Sequence, residues 1–426
     1  MKLQVSDPIL VHAPKMTPAV ARWGVYAIPR LWRVPTGELV VRFNGEADSM
    51  DVNTMQCAKN LYFISYDNGE SWEEDPDGEE KYPINVLTGI DPPYKKLSDG
   101  DTVFLQSHRN LPPIENTPYL KKFITPCRDA VVRSYRWGDI PQKCRRVSFG
   151  RICDGEVSLT EVEMDFPERE LHIVSAANSH GEFVPTEEYV QPHIFRLPYF
   201  SAVCELGNEL VAACCGQNPQ VEHKYYTEVY LVASRDGGKT WKKRATVAGG
   251  VSDVPYGYGG DGSEISMTAD KNGYLYCVMR MDMSSDPRYD KENITDTMLC
   301  ISRDGGYTWS APRSVADSSV TPHIVCLGNA LVLVYGRPGV HVKYSTDGGE
   351  SFSESIPIIG KTLTEERADG RSDYESKYRH SCSYSNTFWE RISDDEMILL
   401  YNDLRYPDEC GVPTKAAFVR KIKIER

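Results

Sequence analysis

Apolar residues in this chain fall in short runs, and glycine-rich polar turns separate them. That pattern predicts β-strands, and helical periodicity is sparse throughout. Two such runs joined by a Gly-centred turn recur at 26–43, 195–215, 265–280 and 321–337, with weaker copies at 94–109 and 383–403. A second repeat follows further apolar runs (LYFI, VYLVA, TMLCI, VHVKY). It reads Ser65-Tyr-Asp67-Asn-Gly69-Glu-Ser71-Trp72, and returns at Ser234–Trp241, Ser302–Trp309 and Ser345–Phe352. The shared form is S-x-D-x-G-x-[ST]-[WF], and four copies in one chain exceed chance. Pro29 and Pro198 are 169 residues apart, as are Asp67 and Asp236, so both repeats belong to one structural unit.

The residues of the second repeat suit a tight hairpin. The aspartate accepts backbone N–H bonds inside the turn, and glycine supplies a positive φ. The Ser or Thr hydroxyl ties the turn shut, and the aromatic ring packs beneath it. The pattern resembles the Asp-box of the sialidase superfamily. In that family the box joins the third and fourth strands of a propeller blade, on the outer rim and away from the active site. The resemblance implies an all-β chain, a six-bladed β-propeller of the sialidase type, with residues 1–426 as one domain. Length alone, at ~150 residues per domain, would allow two or three. The expected blades are roughly 22–80, 90–175, 190–250, 260–318, 320–360 and 380–426. The second is long and lacks the turn motif, which leaves room for an insertion or a seventh blade. The segment 5–11 is expected to pair with the last blade, and the charged stretch 361–379 to form a loop.

A propeller gathers the ends of its inner strands at one mouth, so polar residues at equivalent blade positions point to a common place. The second strands end at Glu46, Arg109, Cys215, Arg280, Arg337 and Asp403. Arginine's planar fork matches a carboxylate with two parallel bonds, so this set suggests an anionic ligand; inter-blade ion pairs would explain each arginine equally. The family resemblance adds roles. Tyr384, in His380-Ser-Cys-Ser-Tyr384-Ser385, matches the tyrosine nucleophile, and Glu264, in Gly262-Ser-Glu264, matches the glutamate that takes its proton. Arg280 and Arg337 match two arginines of the family's carboxylate-binding triad. Asp51, with Asp48 in reserve, matches the acid/base in the loop after the second strand. A turn role would explain either aspartate.

The chain departs from the family at the first triad arginine. The family's [FY]-R-I-P reads Tyr26-Ala27-Ile28-Pro29 here. Glu46 stands where many sialidases carry a basic residue. Arg30 or Arg22 is a substitute for the missing fork, if strand alternation lets it reach the mouth. His193 and His323, both in Pro-His-Ile segments, are candidates for sugar contact; each would serve equally as a structural histidine. The resemblance therefore implies a retaining exo-glycosidase that removes a terminal, anionic sugar from a glycan. The alternatives are the same chemistry on a non-sialic sugar, or a carbohydrate-binding propeller without catalysis.

Composition narrows the rest. Forty-eight Lys and Arg against 61 Asp and Glu give a net charge of −13, without a basic block to grip phosphates, so a nucleic-acid partner is not expected. No apolar stretch reaches the ~20 residues of a transmembrane helix, so no membrane partner is expected. The amino terminus lacks an apolar signal-peptide core, which suggests a cytoplasmic protein, or a secreted one if the chain was trimmed. The 12 cysteines include no Cys-x-x-Cys. Cys204, Cys214, Cys215, Cys277, Cys300 and Cys326 sit in strand-like runs and read as reduced, buried thiols. Neither a metal site nor a cofactor is expected: the YGYGGDG stretch lacks the Lys-[ST] and the helix of a phosphate loop.

Overall fold

The structure is a computed structural model, and it describes residues 1–13, 27–34, 36–44, 60–82, 95–98, 100–107, 121–124, 131–136, 147–153, 156–165, 170–175, 194–195, 199–217, 227–248, 264–280, 296–318, 320–336, 339–360, 383, 387–407 and 413–425. These are almost wholly β, in the sheets of a six-bladed β-propeller, antiparallel except where Glu156–Asp165 pairs parallel with Thr240–Ala248. They group into two compact units, one of Met1–Leu87 with Ala316–Arg426, the other of Thr88–Val315.

The first unit holds three blades. Blade one runs through strands Ala27–Arg33, Leu39–Asn44, Leu61–Ser65 and Glu73–Glu74, in that spatial order. Blade five repeats the plan with Val320–Leu327, Ala330–Gly336, Val340–Ser345 and Ile356–Ile359. Blade six takes only three strands from the carboxyl end: Phe388–Arg391, Glu396–Pro407 and Pro413–Glu425. Its outer edge is completed by Lys2–Val5 and Ile9–His12, which pair antiparallel with Pro413–Glu425. Joining the two chain ends in one sheet covers an edge that would otherwise be open to pairing. Blades five and six bury Val332, Val334, Leu399 and Tyr401 between them, and blades six and one bury Leu31, Val41, Phe63 and Leu400.

The second unit holds blades two, three and four and one further sheet. Blade two is Lys95–Lys96, Thr102–Ser107, Val147–Cys153 and Glu156–Asp165. Its long span is explained by an insertion. Lys121–Ile124, Val131–Arg136, Glu170–Ser175 and Ile194–Phe195 form their own antiparallel sheet. Blade three opens with two short pieces, Tyr199–Phe200 and Cys204–Leu206, both paired with Glu209–Gln217, and continues through Thr227–Ser234 and Thr240–Ala248. Blade four is Ile265–Ala269, Leu275–Arg280, Thr297–Ser302 and Arg313–Ala316. Cys204, Cys214, Cys277 and Cys300 are buried in these cores, and burial pushes the Cys300 thiol up to about 12.

The four repeated turns join the third strand to the fourth in blades one, three, four and five, and their hydrogen bonds agree atom by atom. In blade four, Ser302 Oγ donates to Asp304 Oδ1 at 2.8 Å and accepts from the Gly306 N–H at 2.8 Å. Thr308 donates its N–H to Asp304 Oδ1 at 2.9 Å and its hydroxyl to Oδ2 at 2.6 Å. The residue after the aspartate is left-handed in all four turns: Gly237, Gly305 and Gly348 lie at φ 72–75°, and Asn68, the one side chain there, lies at 57°. Asparagine is among the few L residues that tolerate this region. The next glycine has a second reason to lack a side chain, since a Cβ on Gly306 would lie 2.1 Å from Leu231 Cδ2 of blade three.

Donation from Ser71, Thr240, Thr308 and Ser351, by side chain and backbone together, holds the Asp67, Asp236, Asp304 and Asp347 carboxyls down at about 2. A carboxylate whose folded pKa is depressed contributes stability above its ordinary pKa of 3.8 and loses it as pH falls through the folded value. The turns are exposed, so water screens each contribution. The urea midpoint is expected to fall between about pH 4 and pH 2, and to fall less in Asp304→Asn, whose amide cannot titrate. Parallel pH profiles for the two proteins would refute this assignment.

Candidate active site

Blade four brings two of the candidates together. Glu264 immediately precedes the first strand and Arg280 ends the second; the pairing of Ile265 with Met279 sets them opposite one another. The Arg280 N–H donates to the Glu264 carbonyl at 3.0 Å, which extends the ladder by one rung. Their side chains close the pair, with Arg280 Nη1 3.1 Å from Glu264 Oε2, and the two are 20% and 23% exposed. A guanidinium has five N–H donors and a carboxylate can accept several bonds, so this contact exhausts neither group. The pair thus presents a partly hydrated carboxylate suited to receive a proton beside a cation suited to an anionic group.

Arg30 and His323 lie in the first unit, and both face Phe388, the first residue of the inner strand of blade six. Arg30, in the inner strand of blade one, is buried with its guanidinium carbon 4.2 Å from the Phe388 ring centre. That is a cation–π arrangement. His323, in the inner strand of blade five, is fully buried, its ring centre 6.1 Å from that of Phe388. Its Nε2 lies 2.8 Å from the Thr387 carbonyl oxygen. A carbonyl only accepts, so Nε2 carries the proton. Tyr384, Asp51, Asp48, Arg337, Arg109, Glu46 and His193 lie outside the described residues.

Four polar residues beside this cluster escaped sequence reasoning. Ser383 is fully buried and donates to Asn402 Oδ1 at 2.9 Å; Asn402 is itself buried in the second strand of blade six. The buried Thr387 donates its N–H to Thr321 Oγ1 at 3.3 Å. Thr321 stands at φ 42°, a strained setting for a β-branched residue. The available signal was the run of small polar residues around Tyr384, directly before an apolar strand.

Among the described residues no helix is long and apolar enough to cross a membrane, and no three His, Cys, Asp or Glu side chains gather as they would around a metal ion.

The fold is that of a six-bladed β-propeller, and part of the sequence is similar to a sialidase. In sequence the chain matches a sialidase of Bacteroides fragilis (strain YCH46), 28% identical over 163 residues. The match takes in 32% of this chain and 30% of that protein, so the chain matches under a third of the sialidase's length. No protein-family profile matches the chain. Among solved structures, a protein of unknown function from Dyadobacter fermentans DSM 18053 superposes with a TM-score of 0.59 at 16% identity, covering 99% of both chains. The K499G mutant of the NanB sialidase from Streptococcus pneumoniae gives a TM-score of 0.44 at 14% identity, over 98% of this chain and 70% of that one.

Proposed function

We propose that the chain is a retaining exo-glycosidase of the sialidase superfamily, removing a terminal sugar from a glycan. Tyr384 attacks the anomeric carbon while Glu264 takes its phenolic proton and Asp51 protonates the departing glycosidic oxygen. Water, deprotonated by Asp51, then cleaves the glycosyl–tyrosine bond. The freed phenoxide recovers its proton from Glu264, and every group returns to its starting state. Asp48 is the reserve for Asp51. Arg280 and Arg337 hold an anionic group on the sugar, and Arg109, Glu46 and His193 are further contacts.

The observation that carries this reading is the Glu264–Arg280 pair. A phenol of ordinary pKa ~10 is a poor nucleophile at neutral pH and needs a carboxylate to take its proton. An anionic sugar needs a fork, and blade four supplies both groups at neighbouring strand ends. The partial likeness to a Bacteroides sialidase supports the glycosidase class.

Ala27 favours a second reading, in which the sugar is not a sialic acid. Loss of one fork of a three-arginine clamp weakens carboxylate binding by roughly 2–3 kcal/mol. Incubation with a panel of sialylated and non-sialylated glycans separates the readings. One terminal sugar, released with its anomeric configuration retained, is the expected product. Strong release of sialic acid sinks the second reading, and release of nothing from either half of the panel overturns the glycosidase assignment.

A further inference from the structure

We propose that Arg280 gates Glu264: paired with the guanidinium the carboxylate is restrained as a base, and a carboxylate on the sugar releases it by drawing Arg280 to itself. This rests on the reading of Glu264 as the base, and it adds the sugar class and the control of that same step. The backbone brings the two groups together and keeps them there. Ile265 pairs with Met279, and the Arg280 N–H donates to the Glu264 carbonyl at 3.0 Å. Residues opposite one another in such a rung have Cα atoms ~5.5 Å apart and side chains on the same side of the sheet. Neither residue can leave the other by a backbone movement without breaking the ladder. What can move is the end of the long Arg280 side chain, with its several rotatable bonds.

The two side chains form an ion pair set against an apolar floor. Nη1 lies 3.1 Å from Oε2. The next residues inward, Ile265 and Met279, are fully buried, and with Cys277 and Cys300 they belong to the core shared by blades three and four. Charges beside such a core are less screened from one another than at an open surface. Yet the side chains are 20% and 23% exposed, so a solute reaches both.

An adjacent cation stabilises a carboxylate in its charged form and so makes it a weaker base. Glu264 beside Arg280 is held back in this way. A guanidinium is shaped to meet an incoming carboxylate with two parallel bonds, and it cannot give its full charge to two carboxylates at once. When the sugar's carboxylate takes the guanidinium, Glu264 loses part of its stabilisation and gains a second negative charge nearby. Both changes favour its protonated form. The proton comes from the nucleophile and goes back to it at the end of the cycle, so no further reactant is needed. A neutral sugar leaves the pair intact and the base restrained. Selection for an anionic sugar therefore falls on the chemical step as well as on binding.

The test uses two fluorogenic glycosides of the released sugar acid, one complete and one with hydrogen in place of its carboxylate. In the parent the second is expected to show a kcat about 10- to 100-fold lower. Formate, which has the shape of the missing group, should raise that kcat about tenfold. Arg280→Met removes the cation. It should raise KM for the complete glycoside, yet turn over the carboxyl-free one faster than the parent does and ignore formate. An arginine with a merely structural role would lower both rates together. A second readout needs no turnover. In protein labelled with carbon-13 at the glutamate carboxyls, the resonance missing from Glu264→Gln is that of Glu264. Formate alone is expected to shift it in the parent and not in Arg280→Met. A kcat that formate does not raise, or a resonance that it does not shift, would overturn the proposal. So would a preferred substrate with no anionic group. Should Arg280→Met fail to fold, the parent's two formate responses decide. Should no glycoside be hydrolysed at all, the glycosidase reading falls, while the resonance still reports whether an anion draws Arg280 from Glu264.

Discussion

Tyr384→Phe is expected to abolish turnover and to leave the thermal midpoint where it was. The change removes one oxygen, and in the proposed mechanism that oxygen forms the bond to the anomeric carbon, so no first displacement remains. Glu264→Gln is its graded companion. It keeps the size of the side chain and an acceptor for Arg280, whose Nη1 lies 3.1 Å from Oε2, but it cannot take a proton. Loss of a positioned general base costs about 10²–10⁴-fold, and the tyrosine change should cost more. Steady-state kinetics on the released sugar's fluorogenic glycoside, together with melting curves, measure both. Full activity in either variant would remove that residue from the mechanism. A fall in midpoint parallel to the fall in rate would mean that the residue holds the fold.

Trp241→Ala is expected to destabilise the second unit by about 3–5 kcal/mol, read as a lowered urea midpoint. Trp241 is the aromatic residue of the blade-three turn and is fully buried. Its Nε1 donates to the Gly238 carbonyl at 2.9 Å, and its ring centre is 6.0 Å from that of Phe149 in blade two. It therefore belongs to the core shared by blades two and three as well as to its own turn. The equivalent Trp309 donates to Gly306 at 3.2 Å but is only partly buried. Trp309→Ala should cost clearly less. Equal losses at the two positions would mean that the hairpin, and not the core, sets the energy.

Much of the architecture was legible because its signals are local. Each repeated turn is written in eight consecutive residues, and its bonds run no further than four residues along the chain. The long second blade already pointed to an insertion or an extra blade. Which strands made it was not legible, since Val131–Arg136 pairs with Glu170–Ser175 across a complete hairpin of blade two. In the candidate site, Glu264 and Arg280 could be read as neighbours because they are the ends of one short hairpin. His323 could not be read in the same way, because its partner carbonyl is 64 residues away in another blade.

By itself the amino-acid sequence determined everything that depends on a handful of adjacent residues: the strands, the aspartate turns, the blade period and the glutamate–arginine hairpin. Backbone sterics and hydrogen bonds within a turn act over a few ångströms along one stretch of chain, so composition and spacing suffice. Only the tertiary structure decided that Arg30 stacks on Phe388 and that Thr321 and His323 grip Thr387. Those contacts join segments distant in sequence, and they form where the packing of apolar faces brings buried polar groups within reach of one another.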